Sequence, residues 1–109
     1  MTWSDVCPLP ALTPNRGVAA LLGERQVAVF LIEPGDELLA IDNVDPWSGA
    51  AVLSRGIVGS VGDTLTVASP VYKQRFDLRT GVCLDDPDVL VATYPTRVRD
   101  GRVQVAADG

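Results

Sequence analysis

The 109-residue sequence has no histidine and only two cysteines. Without histidine, the chain has neither the Ser–His nor the Cys–His pair that activates most hydroxyl and thiol nucleophiles. It also lacks the CxxC and HExxH spacings of zinc sites and the GxGxxG and P-loop motifs that bind phosphate groups. The carboxylates clustered at residues 85–88 have the pattern of a solvated turn. We therefore expect no catalytic residue in this chain.

Positive charge is also scarce. Nine Lys and Arg stand against fourteen Asp and Glu, which gives a formal net charge of −5. An acidic chain repels phosphate backbones and anionic lipid surfaces, so we expect no nucleic-acid partner and no membrane partner. Every basic residue except Lys73 is Arg, a side chain suited to bidentate contacts with carboxylates at a protein interface.

Long apolar runs are missing as well. No stretch approaches the length of a membrane-spanning helix, and residues 1–5 lack the basic segment and apolar run of an export signal. We therefore expect a cytoplasmic protein, in which Cys7 and Cys83 are buried, reduced thiols. A disulfide between them stays open, because it depends on whether their α-carbons approach within about 7 Å.

The length and composition predict one folded domain over residues 1–109. A chain of this size buries roughly two-thirds of its unfolded surface, enough for one modest core. Its hydrophobic fraction of 47% and charged fraction of 21% are those of a globular protein and not of a disordered one.

Short Val-, Ile- and Thr-rich runs separated by turn residues predict strands. A hairpin over residues 17–22 and 26–32 is favoured over one helix, because Gly23 in a helix interior costs about 1 kcal/mol relative to Ala. Asp100-Gly101 between two alternating segments is a strong hairpin signal, and residues 34–37 have the composition of a turn. The sequence predicts an all-β antiparallel sandwich or barrel of about eight to ten short strands.

Two segments carry a family resemblance. Residues 69–72 read Ser-Pro-Val-Tyr and are followed by Phe76-Asp77 and Thr80-Gly81, which resembles the second ligand loop of Rieske iron–sulfur domains, Cys-Pro-x-His. Residues 52–56, Val-Leu-Ser-Arg-Gly, are similar to the segment that follows the first ligand loop, Cys-x-His. The resemblance implies a Rieske-like fold, a small antiparallel sandwich or barrel with two protruding loops.

The resemblance also implies a degenerate metal site. A Rieske cluster is held by two Cys thiolates on one iron and two His imidazoles on the other. Carried over by position, the second-loop ligands become Ser69 and Tyr72, and the first-loop ligands fall on Val44 and Pro46. The chain has no histidine, and both cysteines lie outside the two loops. We therefore expect no iron–sulfur cluster, metal or other cofactor in this chain.

A closer resemblance extends over most of the sequence. Residues 45–49, 52–59 and 67–81 are similar to the small subunit of cytoplasmic NAD(P)H-dependent nitrite reductases, a Rieske-like domain without cluster ligands. The resemblance implies an accessory subunit of an enzyme of nitrate assimilation that reduces nitrite to ammonia. Its partner would be a large subunit that carries siroheme, an iron–sulfur cluster, FAD and the NAD(P)H site. A stand-alone Rieske-like interaction module without redox chemistry is the alternative.

Five residues of the two loops and their flanks are candidates for the partner interface: Trp47, Arg55, Tyr72, Lys73 and Arg75. Trp47 is either an interface anchor or a cap on the core. Tyr72 either docks on a partner or forms a hydrogen bond to the first loop.

The three cations of this set also have two interpretations. They either steer an acidic partner surface or form ordinary surface pairs with Asp45, Asp77 or the acidic turn at 85–88.

Overall fold

The computed structural model describes residues 2–33 and 37–107, and these residues are all-β. The strands are β1 (Trp3–Pro8), β2 (Gly17–Leu22), β3 (Arg25–Ile32), β4 (Glu37–Asp42), β5 (Ile57–Val61), β6 (Thr64–Ala68), β7 (Arg75–Asp77), β8 (Thr93–Tyr94), β9 (Thr96–Arg99) and β10 (Arg102–Ala106). Short 3₁₀ turns cover Leu9–Ala11 and Leu53–Arg55. No helix within the described ranges is long and apolar enough to cross a membrane. The predicted fold class and strand number are confirmed.

The strands form three antiparallel sheets. Their orders are β1–β10–β9, β2–β3–β4–β8 and β5–β6–β7. Strand β3 lies inside the second sheet, and all its residues from Val27 to Ile32 are buried. Since side chains alternate between the faces of a strand, β3 supplies two separate cores. The second sheet therefore packs between the other two.

Each core joins one outer sheet to the central one. Phe30 and Ile32 of β3 pack with Val67 of β6 and Phe76 of β7 on one side. On the other side, Val27, Val29 and Leu31 of β3 pack with Val103 and Val105 of β10. Burying residues on both faces explains why β3 is an unbroken apolar run from Val27 to Ile32 and does not alternate in polarity there.

Both predicted hairpins are present. Strands β2 and β3 pair from Leu22↔Arg25 outward, with Gly23 at φ 65° in the turn. Strands β9 and β10 pair around Asp100 and Gly101, which have φ values of 52° and 76°. Positive φ at both central residues is the type I′ geometry that Asp-Gly favours. The turn predicted at 34–37 lies mostly outside the described residues, and Glu37 begins β4.

The two cysteines are free thiols in different environments. Cys83 is fully buried beside Phe76, as predicted, whereas Cys7 on β1 is only half-buried. Partial burial raises the pKa of the Cys7 thiol, and the nearby Arg102 charge opposes that shift. The possible disulfide is absent.

Candidate functional site

One hydrogen bond joins the two loops that the sequence singled out. The first loop, residues 43–52, follows β4, and the second loop, residues 69–74, connects β6 to β7. Ser69 Oγ donates to Asp45 Oδ2 across 2.5 Å, and both residues are 0% exposed. A separation of this length is at the strong end for a hydroxyl–carboxylate hydrogen bond. The Asp45–Ser69 pair is therefore a buried polar link between two segments that are 24 residues apart.

The first loop closes tightly around Asp45. Its other carboxylate oxygen accepts a hydrogen bond from the Trp47 N–H at 2.9 Å. The Asp45 N–H donates to the Ala50 carbonyl at 2.8 Å, and the Gly49 N–H donates to the Asp45 carbonyl at 2.7 Å. Gly49 has φ 73°, a conformation that glycine adopts without a steric cost. Both carboxylate oxygens thus have donors, which is the condition for burying such a group.

The second loop closes around Ser69 in the same manner. The Ser69 N–H donates to the Gln74 carbonyl at 2.8 Å, and the Lys73 N–H donates to the Ser69 carbonyl at 3.0 Å. Ser69 Oγ also accepts the Val71 N–H at 3.3 Å. Lys73 has φ 68°, a left-handed conformation that costs a non-glycine residue about 1–2 kcal/mol. The bonds around Ser69 therefore hold a turn that the sequence does not favour locally.

The sequence placed the degenerate ligand positions of the first loop at Val44 and Pro46. In the structure, Val44 forms a bridge with Ala51 and Pro46 is exposed. The side chain that reaches the second loop belongs to Asp45, the residue between them. The predicted surface pairing of Asp45 with the loop cations is wrong, because Asp45 is completely buried. The turn at Asp45 was readable from the Asp-Pro-Trp sequence, but its bond to Ser69 was not.

The two candidate aromatic residues behave differently. The Trp47 ring lies 6.0 Å from the Phe76 ring at an interplanar angle of 54°, while 38% of Trp47 is exposed. Trp47 therefore covers the core and also presents part of its indole to solvent. Tyr72 is 58% exposed and has no hydrogen-bond partner among residues 2–33 and 37–107. The link between the loops passes through Ser69 and Asp45, which leaves the Tyr72 ring facing outward beside the exposed Val71.

The candidate cations also differ in their surroundings. Arg75 is held by Asp85 through Nη2–Oδ1 at 2.9 Å, Nε–Oδ2 at 3.4 Å and its own N–H to Oδ2 at 2.8 Å. These hydrogen bonds lower the pKa of Asp85 and raise that of Arg75. Arg75 therefore forms an ordinary surface ion pair with Asp85 of the acidic turn. Arg55 and Lys73 form no ion pair with a described residue.

The donor atoms around the loops do not fit a Rieske cluster, which needs thiolates and imidazoles. Asp45 and Ser69 supply a carboxylate and a hydroxyl that are bonded to each other. The buried side-chain polar atom left without a partner in the described part of the chain is Gln74 Oε1, a neutral amide oxygen. Cys83 lies in the core beside Phe76, and Cys7 lies on β1. No thiolate–imidazole set can form from these groups.

Known proteins resemble this chain over nearly its whole length. A family model described as Rieske-like [2Fe-2S] domain matches residues 2–106. A protein of Escherichia coli K12 named nitrite reductase (NADH) small subunit is 45% identical over 103 residues, which cover 94% of this chain and 95% of that protein. The chain belongs to the Rieske-like family of nitrite reductase small subunits.

A solved structure and a longer chain extend this family assignment. The solution structure of the nitrite reductase [NAD(P)H] small subunit from Erwinia carotovora has a TM-score of 0.80 and 47% identity, with 98% of this chain and 83% of that chain covered. A Klebsiella oxytoca protein named nitrite reductase [NAD(P)H] large subunit is 44% identical over 103 residues, 94% of this chain but 11% of its own length. A domain of the small-subunit family is thus part of a chain named as a large subunit.

Proposed function

We propose that this chain is the accessory small subunit of a cytoplasmic nitrite reductase [NAD(P)H], and that it supports nitrite reduction to ammonia by binding the large subunit. The observation that supports this most strongly is the Klebsiella oxytoca chain, in which a domain 44% identical to this one is part of a protein named as the large subunit. When two domains are joined in one polypeptide in one organism, we expect the corresponding separate chains of another organism to bind each other.

In this proposal the chain binds no cluster and carries no catalytic residue. The support comes from its donor set, in which a carboxylate and a hydroxyl bonded to each other occupy the loops. The siroheme, iron–sulfur cluster, FAD and NAD(P)H of the reaction then belong to the large subunit. The small subunit contributes through contact and not through electron carriage.

The contact surface that we propose is the loop face, defined by Trp47, Arg55, Val71, Tyr72 and Lys73. Trp, Tyr and Arg are the side chains that contribute most to protein interfaces. Trp47 and Val71 each lie two residues beyond the linked pair, so the Asp45–Ser69 bond fixes both loop tips relative to each other. A surface held in one arrangement loses less conformational entropy on binding than a mobile one.

The test is to purify the large subunit alone and together with this chain, and to measure complex formation by light scattering and NAD(P)H-dependent nitrite turnover. We expect a stable complex and higher turnover when the small subunit is present. The absence of a complex, with equal turnover in both preparations, would overturn the proposal and favour a stand-alone interaction module.

A further inference from the structure

Most arginines of this acidic chain already have a partner. Three form ion pairs with acids, and two others contact aromatic or polar side chains. These contacts are Arg75–Asp85 at 2.9 Å, Arg79–Glu37 at 2.6 Å, Arg102–Asp5 at 3.8 Å, Arg97 over the Trp3 ring at 4.2 Å, and Arg25 to the Tyr94 hydroxyl at 3.4 Å. The guanidinium groups of Arg16, Arg55 and Arg99 have no such partner among the described residues.

Two of these three arginines share one surface groove. Arg16 and Arg55 line it together with Gly17, Ser54 and Gly56. The groove lies where the backbone at the start of β2 approaches the 3₁₀ turn Leu53–Arg55 very closely. A Cβ atom on Gly17 would lie 2.3 Å from the Ser54 carbonyl oxygen, a distance that no side chain tolerates. The fold therefore brings two arginines from distant parts of the sequence to one place.

The backbone on each side of the groove is held by hydrogen bonds. The Arg16 N–H donates to the Thr13 carbonyl at 3.1 Å, and the Arg55 N–H donates to the Val52 carbonyl at 2.9 Å. Asn43, which is buried at the start of the first loop, accepts the Ser54 N–H through Oδ1 at 2.7 Å. The Asn43–Ser54 hydrogen bond thus connects the first loop to the groove lining. Arg55 belongs to both the groove and the loop face.

Charge and geometry indicate what this groove binds. Both guanidinium groups belong to the lining of one groove, and no Asp or Glu within residues 2–33 and 37–107 lines the groove with them. Arginine stays protonated at all physiological pH values, and its planar fork matches a carboxylate bidentately. We propose that the Arg16–Arg55 groove binds a carboxylate-bearing segment of the large subunit. This inference rests on the function proposed above and adds a second, charged contact beside the loop face.

The experiment compares single charge reversals in the intact chain. Arg16→Glu and Arg55→Glu lie in the groove, and Arg99→Glu, at the β9–β10 hairpin, is the matched control with the same change in net charge. Affinity for the purified large subunit is measured by calorimetry at about 50 mM and about 300 mM salt. We expect each groove variant to weaken binding by about tenfold or more at low salt and Arg99→Glu by less than about twofold. Thermal melting of the two groove variants should match that of the wild type, because neither side chain has a described partner. Arg99 lies opposite Arg102 in the β9–β10 register, so Arg99→Glu should melt no lower than the wild type.

The outcomes separate the groove from the proposed function. If the wild-type chain binds the large subunit and both groove variants bind equally well, the groove inference is overturned while the proposed function stands. A wild-type chain that does not bind overturns the proposed function itself. If the wild type dimerises in light scattering and Arg16→Glu is monomeric, the carboxylates come from a second copy of this chain, which also overturns the inference.

Discussion

The second loop is anchored at its two ends by polar contacts of very different kinds. At its start, Ser69 donates to Asp45 in full burial, and at its end Arg75 pairs with Asp85 in solvent, with 44% and 38% of the two side chains exposed. A buried hydrogen bond to a carboxylate contributes about 1.5–3 kcal/mol, whereas exposed ion pairs contribute little because water screens them. The exposed Arg75–Asp85 ion pair is therefore the weaker anchor, and the buried Asp45–Ser69 hydrogen bond contributes more to the stability of the loops.

The largest expected effect comes from removing the buried carboxylate. Asp45→Ala leaves the Ser69 hydroxyl and the Trp47 N–H without their acceptor, so we expect the free energy of unfolding to fall by about 3 kcal/mol. Urea denaturation measures this loss. The matched control is Asp88→Ala in the exposed acidic turn, which should change stability by less than about 0.5 kcal/mol. Equal stabilities for the two variants would contradict the comparison.

Removing the donor should have the next largest effect. Ser69→Ala deprives Asp45 Oδ2 of its bond and the Val71 N–H of its acceptor, and we expect a loss of about 2 kcal/mol. In the Asp45→Ala background the same substitution should cost about 1 kcal/mol less, since the shared bond is already gone. Strict additivity of the two losses would show that the loops are not linked through this pair.

Substituting the two aromatic residues of the loop face, Trp47 and Tyr72, should lower the stability of the fold by different amounts. Trp47→Ala removes the contact with the Phe76 ring and should lower the free energy of unfolding by about 1–2 kcal/mol. Tyr72→Ala removes an exposed ring that has no hydrogen-bond partner among the described residues. It should change the free energy of unfolding by less than about 0.5 kcal/mol. Thermal melting of both variants checks the difference, and an equal loss in the two would contradict the assignment of Trp47 as a cap.

The smallest effect is expected at the exposed anchor. Arg75 lowers the pKa of Asp85 below its usual value of 3.8. The folded state therefore binds this proton less readily than the unfolded chain, so the pair contributes stability above the unfolded pKa and loses it as the pH falls through the folded one. Asp85→Asn should melt slightly below the wild type at pH 7, and the gap should close at acidic pH. A gap that widens on acidification would contradict this sign.

Local patterns were enough to predict the fold. Asp100-Gly101 and Gly23 mark turns through their own backbone preferences, and strand alternation is visible within a few residues. The position of β3 between two cores was not predicted, because an apolar run indicates burial without indicating which sheets cover it.

The candidate site could be predicted only in part. The loops were found through Ser69 and residues 52–56, but their link was missed because the Asp45–Ser69 bond depends on tertiary packing. No sequence pattern indicates that Arg16 lies beside Arg55, since their proximity depends on the contact between Gly17 and Ser54. Arg75 was a candidate for the interface, and its pairing with Asp85, ten residues away, reduces the charge it offers to a partner.

The most direct test of the account is a titration of the purified large subunit with this chain while NAD(P)H-dependent nitrite turnover is recorded. Wild type and Tyr72→Ala are compared, because this variant should keep its fold. The account predicts a saturable rise in turnover with wild type, and a half-saturating concentration about tenfold higher for Tyr72→Ala. Turnover that does not respond to the wild-type chain, or superimposable curves for the two proteins, would contradict docking through the loop face.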